Sequence, residues 1–408
     1  MVKIKISFIT WLLISSASVS YSQSGWVIQF QESPGFFNDI YFVNSHSGWV
    51  VQGWFDGNIS KTTNGGLNWF TITTHQFQHG NGITFHNEST GWICTSGGGL
   101  YRTTNGGYNW ILSNCNGCSS VDDFMDIQFI NQNTGWAYGD VKAFKSTDGG
   151  LSYFPLYCGT DVENGFFIDT LNGWVGGLSG TTRSTNGGNS WFQFSVLNSV
   201  WGLYFVNLNK GWVCTYHGKI YRTTNSGINW AEQYSNNGTP LYKVQFVNEN
   251  TGWVVGDSGA IIKTTNGGIN WYRQNSQPIT IYWGIFMISP NEGWVCGNGF
   301  ILHTTDGGGP IGIKPISNEI PNAFYLSQNY PNPFNPITKI KFQIAKLCDA
   351  KLVIYDVMGR EIETLINQQL SPGTYETEWD ASNYPSGVYF YRLTAGDYSD
   401  TKKMVLIK

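Results

Sequence analysis

From residue 25 to about residue 308 the chain alternates short runs of β-branched and aromatic residues with turns rich in Gly and Asn. The apolar positions show no helical period, so the pattern predicts strands joined by tight turns. One copy shows the order: Gly82 to Phe85, a turn at Asn87 to Thr90, Trp92 to Thr95, a Gly97-Gly98-Gly99 turn, Leu100 to Thr103, the Asn105-Gly106-Gly107 turn, then Tyr108 to Leu112. At the last turn an Asn side chain can cap its own backbone while the glycines accept positive φ, which closes a hairpin between the third and fourth strands.

The unit recurs. Gly-Trp stands at Gly48-Trp49, Gly91-Trp92, Gly135-Trp136, Gly173-Trp174, Gly211-Trp212, Gly252-Trp253 and Gly293-Trp294, spaced by 43, 44, 38, 38, 41 and 41 residues. Between these pairs run seven boxes, from Thr63-Asn64-Gly65-Gly66 to Thr305-Asp306-Gly307-Gly308, most followed by an aromatic such as Trp69, Trp110 or Trp271. Four strands repeating every 40 to 45 residues predict propeller blades, and seven units predict a seven-bladed ring over residues 23–310. The seventh copy lacks a fourth strand, whereas Gly25-Trp26-Val27-Ile28-Gln29-Phe30 reads as an orphan one. The two ends are expected to complete one blade and remove two open sheet edges.

These motifs resemble Asp-box (BNR-type) propellers, in particular the plant and cyanobacterial photosystem II assembly factors, over about residues 24–310. The resemblance implies the fold; propellers of this type include sialidases, xyloglucanases, receptors and assembly chaperones, so it leaves function open. The boxes themselves read as structural turns.

Residues 311–321, with prolines at 315 and 321, read as a linker. Beyond it, alternating stretches at Thr338 to Ile344, Ala350 to Val357, Tyr375 to Trp379, Val388 to Thr394 and Lys403 to Ile407 predict a small immunoglobulin-like β-sandwich over 322–408. The fold class is thus all-β. Asn329-Tyr330-Pro331-Asn332-Pro333-Phe334, Val353 to Arg360, Trp379-Asp380, Ser386-Gly387-Val388-Tyr389 and Lys403-Met404-Val405-Leu406-Ile407-Lys408 resemble the C-terminal sorting domain of type IX secretion cargo. That resemblance implies an address read by the outer-membrane translocon, with Gly387, Val388, Tyr389, Lys403 and Val405 in the signal, and a protein secreted or displayed on the outer surface.

Met1 to Lys5 carry two positive charges ahead of the apolar run Ile6 to Ile14, the layout of a signal peptide over residues 1–22. No stretch reaches the ~20 apolar residues of a membrane-spanning helix. A net charge of −4 gives no electrostatic reason to bind nucleic acid. Among the seven cysteines, Cys94, Cys214 and Cys296 share one repeat position and read as small buried hydrophobes. Cys115 and Cys118 suggest a local disulfide; no second pair stands at metal-ligand spacing, so neither metal nor cofactor is expected.

Candidate chemistry is sparse. Lys61, Arg102, Lys145, Arg183, Arg222, Lys263 and His303 occupy one slot before the boxes, either stacked on blade aromatics or forming a basic belt for an acidic partner. Being spread around a ring, they cannot converge on one carboxylate as a sialidase requires. Asp39 and Asp126 on the innermost strands are weak candidates for a hydrolytic pair, with Asp122, Asp123, Asp161 and Glu163 in nearby loops; solvated loop acids are the plainer reading. Aligning the starts of the innermost strands places Asn38, Asn81, Met125, Asn164, Trp201, Tyr242 and Trp283 at one level around the channel mouth, with one arc aromatic and the other amide. That division suits a glycan or an extended peptide, against the alternative of packing between blades. The expected role is a non-catalytic binding or scaffolding propeller, with a glycoside hydrolase or an assembly factor for a membrane complex as alternatives.

Overall fold

The structure, a computed structural model, describes residues 25–408 apart from 54–56, 74–75, 78, 120–122, 140–141, 159–161, 196, 237, 275, 310–312, 318 and 383. The signal peptide reading and the loop acids Asp122 and Asp161 lie outside these residues. Among the described residues every regular element is a strand.

Blade two shows the unit, with Gly80–Phe85, Gly91–Thr95, Leu100–Thr103 and Ile111–Leu112 as antiparallel neighbours from the axis outward. Blades three to six repeat it, with innermost strands Phe124–Phe129, Asn164–Phe167, Val200–Phe205 and Leu241–Phe246. Blade three gains Asn114–Cys115 as a parallel fifth strand, next to the disulfide between Cys115 and Cys118. Blades one and seven share a six-stranded sheet. The strand Val27–Phe42 pairs through Val27 to Phe36 with Gly293–Thr304 of blade seven, and from Phe37 onward with Gly48–Gln52 of blade one. The outermost strand of the last blade therefore comes from the start of the described chain. Innermost strands touch their neighbours all the way round, Tyr282–Met287 of blade seven meeting blade one, so seven blades close the ring.

The Gly-Trp motif explains how blades lock together. The Phe that ends each innermost strand packs against the glycine of its own blade: a Cβ at Gly48 would lie 2.5 Å from the Phe42 ring. Its other face receives the tryptophan of the preceding blade, with ring centroids 3.5 to 3.7 Å apart in six of the seven interfaces. In the seventh, Trp253 packs with Met287, which replaces the Phe. At all seven interfaces the indole N–H donates to a carbonyl in the next blade's box, at 2.8 to 3.4 Å. The box is pre-shaped to accept it. Thr62 Oγ1 bonds Asn64 Oδ1 and accepts from the Gly66 N–H, and the two glycines hold φ of 70° and 88°.

Within the sandwich one sheet runs Ile313–Ser317, Gly373–Asp380, Ile337–Ile344, Tyr325–Leu326, and the other Glu361–Leu370, Cys348–Tyr355, Gly387–Ala395, Tyr398–Leu406. Trp379, Tyr391, Leu352 and Met404 fill the space between them. The linker reading of 311–321 needs correction, because Ile313–Ser317 pairs with Gly373–Asp380 as an edge strand of the sandwich. Pro315 is accommodated there because an edge strand need not donate every backbone N–H. The Asn-Tyr-Pro-Asn-Pro-Phe segment guards the outer edge of the last strand. Gln328 Nε2 donates to the Lys403 carbonyl, Asn332 Oδ1 accepts from the Val405 N–H, and Phe334 exchanges backbone bonds with Val405 and Ile407. Gly387, Val388 and Tyr389 face Leu406, Val405 and Met404 across this hairpin, and Phe390 faces Lys403.

Candidate functional site

Two stacked layers of side chains meet at the axis. The lower layer is the residue nine before each Gly-Trp glycine: Asp39, Gly82, Asp126, Asn164, Gly202, Lys243 and Gly284. The glycines let innermost strands approach closely; a Cβ at Gly284 would sit 3.2 Å from the Asp39 Cα, and one at Gly82 3.1 Å from the Asp126 Cα. Across that gap Lys243 Nζ pairs with Asp39 Oδ1 at 2.5 Å. Asp39 Oδ2 accepts from the Ile83 N–H. Asp126 Oδ1 accepts from the Ile127 N–H, and Asp126 Oδ2 from Asn164 Nδ2 at 2.7 Å. Burial pushes the Asp126 carboxyl up to about 6, with Lys243 opposing and the Asp39 charge adding to the shift. The two carboxylates outweigh desolvation at Lys243 and hold its ammonium above the ordinary value.

The upper layer, one residue earlier, is Asn38, Asn81, Met125, Glu163, Trp201, Tyr242 and Trp283. Asn164 is corrected here: it lies in the lower layer, pairing with Gly176, and Glu163 takes its expected place. Its sequence neighbour Gly165 resembles Gly82 and Gly202 but has another cause. The Tyr138 ring of blade three fills the space where the other blades carry Ile, Leu or Val, 2.0 Å from where a Cβ would be. The amide arc is tied between blades. Asn38 Nδ2 donates to the Gly80 carbonyl and to Asn81 Oδ1, while Asn81 Nδ2 donates to Ser96 and the Phe124 carbonyl. The aromatic arc is continuous: Trp201 lies 5.4 Å from Tyr242, and Tyr242 4.3 Å from Trp283, by ring centroids. Tyr216, 45% exposed, extends it 5.5 Å beyond Trp201. Trp283 is oriented by its N–H bond to Asn298 Oδ1. Tyr242 is 8% exposed between its neighbours, and burial first, then Asp257 and Tyr216, push its phenol to about 12.

The cationic slot is used inside the ring. Lys61, Lys145, Arg183, Arg222 and Lys263 sit 4.9 to 5.9 Å over the Gly-Trp indole of their own blade, and His303 stacks on Trp294. The three lysines also donate to the next blade's box carbonyl at 3.0 to 3.1 Å. Lys243, which organises the axis, was not singled out by the repeat alignment. Counting nine residues back from every Gly-Trp would have exposed it as the one cation in a row otherwise holding Asp, Asn and Gly. Among the described residues no cluster of His, Cys, Asp and Glu has the form of a metal site.

Comparison with known proteins agrees with these two architectures. Residues 328–408 match the family described as secretion system C-terminal sorting domain, and residues 236–333 match photosynthesis system II assembly factor YCF48. No curated protein sequence matches the chain. Among solved structures, YCF48 bound to D1 peptide is 20% identical with a TM-score of 0.58, covering 70% of this chain and 96% of its own. YCF48 from Cyanidioschyzon merolae is 15% identical with a TM-score of 0.56, covering 69% and 99%. The WD40 propeller domain of Doa1 is 11% identical with a TM-score of 0.58, covering 69% and 97%. At these identities the likeness is one of fold. The chain joins a YCF48-like seven-bladed β-propeller to a type IX sorting domain, which directs it to the cell surface or beyond.

Proposed function

We propose that the propeller is a non-catalytic binding module, carried outside the cell by its sorting domain, that seats its ligand at the channel mouth over Trp201, Tyr242 and Trp283. The observation that carries this reading is the unbroken aromatic arc on one side of the mouth, made by three successive blades. Stacking surface of this kind supplies contact area with little loss of side-chain freedom. The hydrolase alternative fares worse, because both oxygens of Asp39 and of Asp126 are occupied by protein partners. A glycosidase needs one carboxyl to reach the leaving oxygen and the other to face the sugar. The basic-belt alternative loses six of its seven slot residues to indole faces, the three lysines also bonding box carbonyls within the ring. The test is binding of the mature chain to immobilised glycans and peptides, with wild type compared to Trp201→Ala plus Trp283→Ala. A loss of at least tenfold with an unchanged melting curve is expected; equal binding by the double variant overturns the site.

A further inference from the structure

Resting on that site, we infer that its ligand class is a neutral oligosaccharide, recognised through sugar faces and hydroxyls rather than through charge or peptide backbone. Three observations lead there.

The first concerns strand addition, by which an extended peptide pairs with an open sheet edge. At the axis each innermost strand presents such an edge, and side chains of the preceding blade already occupy much of it. Gln128 bonds both the N–H and the carbonyl of Phe167, and Gln245 does the same to Met287. The Ile83 N–H goes to Asp39 and the Leu203 N–H to Asn164, while Asn38 and Asn81 take the Gly80 and Phe124 carbonyls. A peptide entering the channel would have to break these bonds.

The second is charge. The floor beneath the mouth holds two carboxyl groups and one ammonium, a formal −1 when both are ionised, and these groups are bonded to one another or to the surrounding protein. An anionic ligand meets net repulsion there, to which Glu163 of the upper layer adds, and a cationic one finds the Asp39 and Asp126 oxygens taken. A neutral ligand incurs neither penalty.

The third is what remains available at the rim. Among the described residues the Trp201 indole N–H has no hydrogen-bond acceptor and the Asn38 side-chain oxygen no donor, and the Tyr216 ring is well exposed. Flat rings flanked by single donors and acceptors match the C–H face and hydroxyl edge of a pyranose.

Titration calorimetry on the mature full chain is the experiment, using cello-, manno-, xylo- and laminari-hexaose, a sialylated hexasaccharide, an oligogalacturonate and a mixed decapeptide pool. Saturable binding of at least one neutral hexaose is expected, weakened at least tenfold in Trp201→Ala plus Trp283→Ala. Trp201→Phe, which keeps a ring and loses the N–H, should weaken it two- to fivefold and supplies the comparison if the double variant misfolds. Preference for the sialylated or galacturonate ligand overturns the inference. So does binding of the peptide pool that depends on Trp201 without any neutral sugar binding, although the proposed site would then stand. Silence towards all probes overturns both.

Discussion

At the residue scale the structure turns one dipeptide into a joint. The tryptophan of Gly-Trp stacks on the next blade and donates to its box, and the glycine makes room for the ring its own blade offers to the preceding one. Trp49→Ala should therefore destabilise the propeller by about 3–5 kcal/mol, the cost of emptying a large buried site. Trp49→Phe, which keeps a ring and loses the bond to Gly106, should cost about 1 kcal/mol; denaturant unfolding of both checks the contrast. Asp126 makes a different prediction. Its carboxyl binds a proton more tightly in the folded ring, at about 6, than its ordinary value of 3.8 would allow. The stability linked to it is complete below about pH 4 and is lost as pH rises through 6. The melting temperature should fall across that window, and Asp126→Asn, which keeps the shape without the titration, should flatten the fall. An unchanged slope in the variant would show that other groups set it. Lys243, Asp39 and Asn164 face this carboxyl, and the buried Cys94 thiol and Tyr138 phenol feel its charge.

At the element scale the long strand Val27–Phe42 matters most, since it serves two blades and closes the circle between them. Asp306 receives the Gly25 N–H through both carboxylate oxygens, and Gln274 accepts the Trp26 N–H, so its leading end is pinned as well as paired. Deleting residues 25–31 uncovers an edge of Gly293–Thr304 and empties the Trp26 site, and the propeller should melt markedly lower; an unchanged melt would mean the ring does not depend on this closure. Much of this element was legible in the chain, because a repeat lacking one strand and a spare strand at the other end are both visible in the letters. The strand at Ile313–Ser317 was not. Its proline and lack of repeat pattern suggest a linker, and only its partner Gly373–Asp380, some sixty residues later, makes it a strand.

For the whole molecule, the tail carries the address, and on the proposed reading the ring carries the surface that is delivered. Loss of residues 398–408 removes the last strand together with the edge that Gln328, Asn332 and Phe334 guard. Such a chain should accumulate in the periplasm; normal surface display, read by protease accessibility on intact cells, would count against the tail's role. Blade number and strand order could be read from letters alone, because each depends on contacts a repeat makes with its immediate neighbours and on turns that form locally. Which axial side chains pair with one another could not. Asn164 belongs beside Asp126 because strand register, not the local Asn-Gly pair it shares with Asn81, sets its height. Lys243 meets Asp39 across 204 residues of chain, a meeting that exists only once seven sheets have closed and the intervening blade offers a glycine.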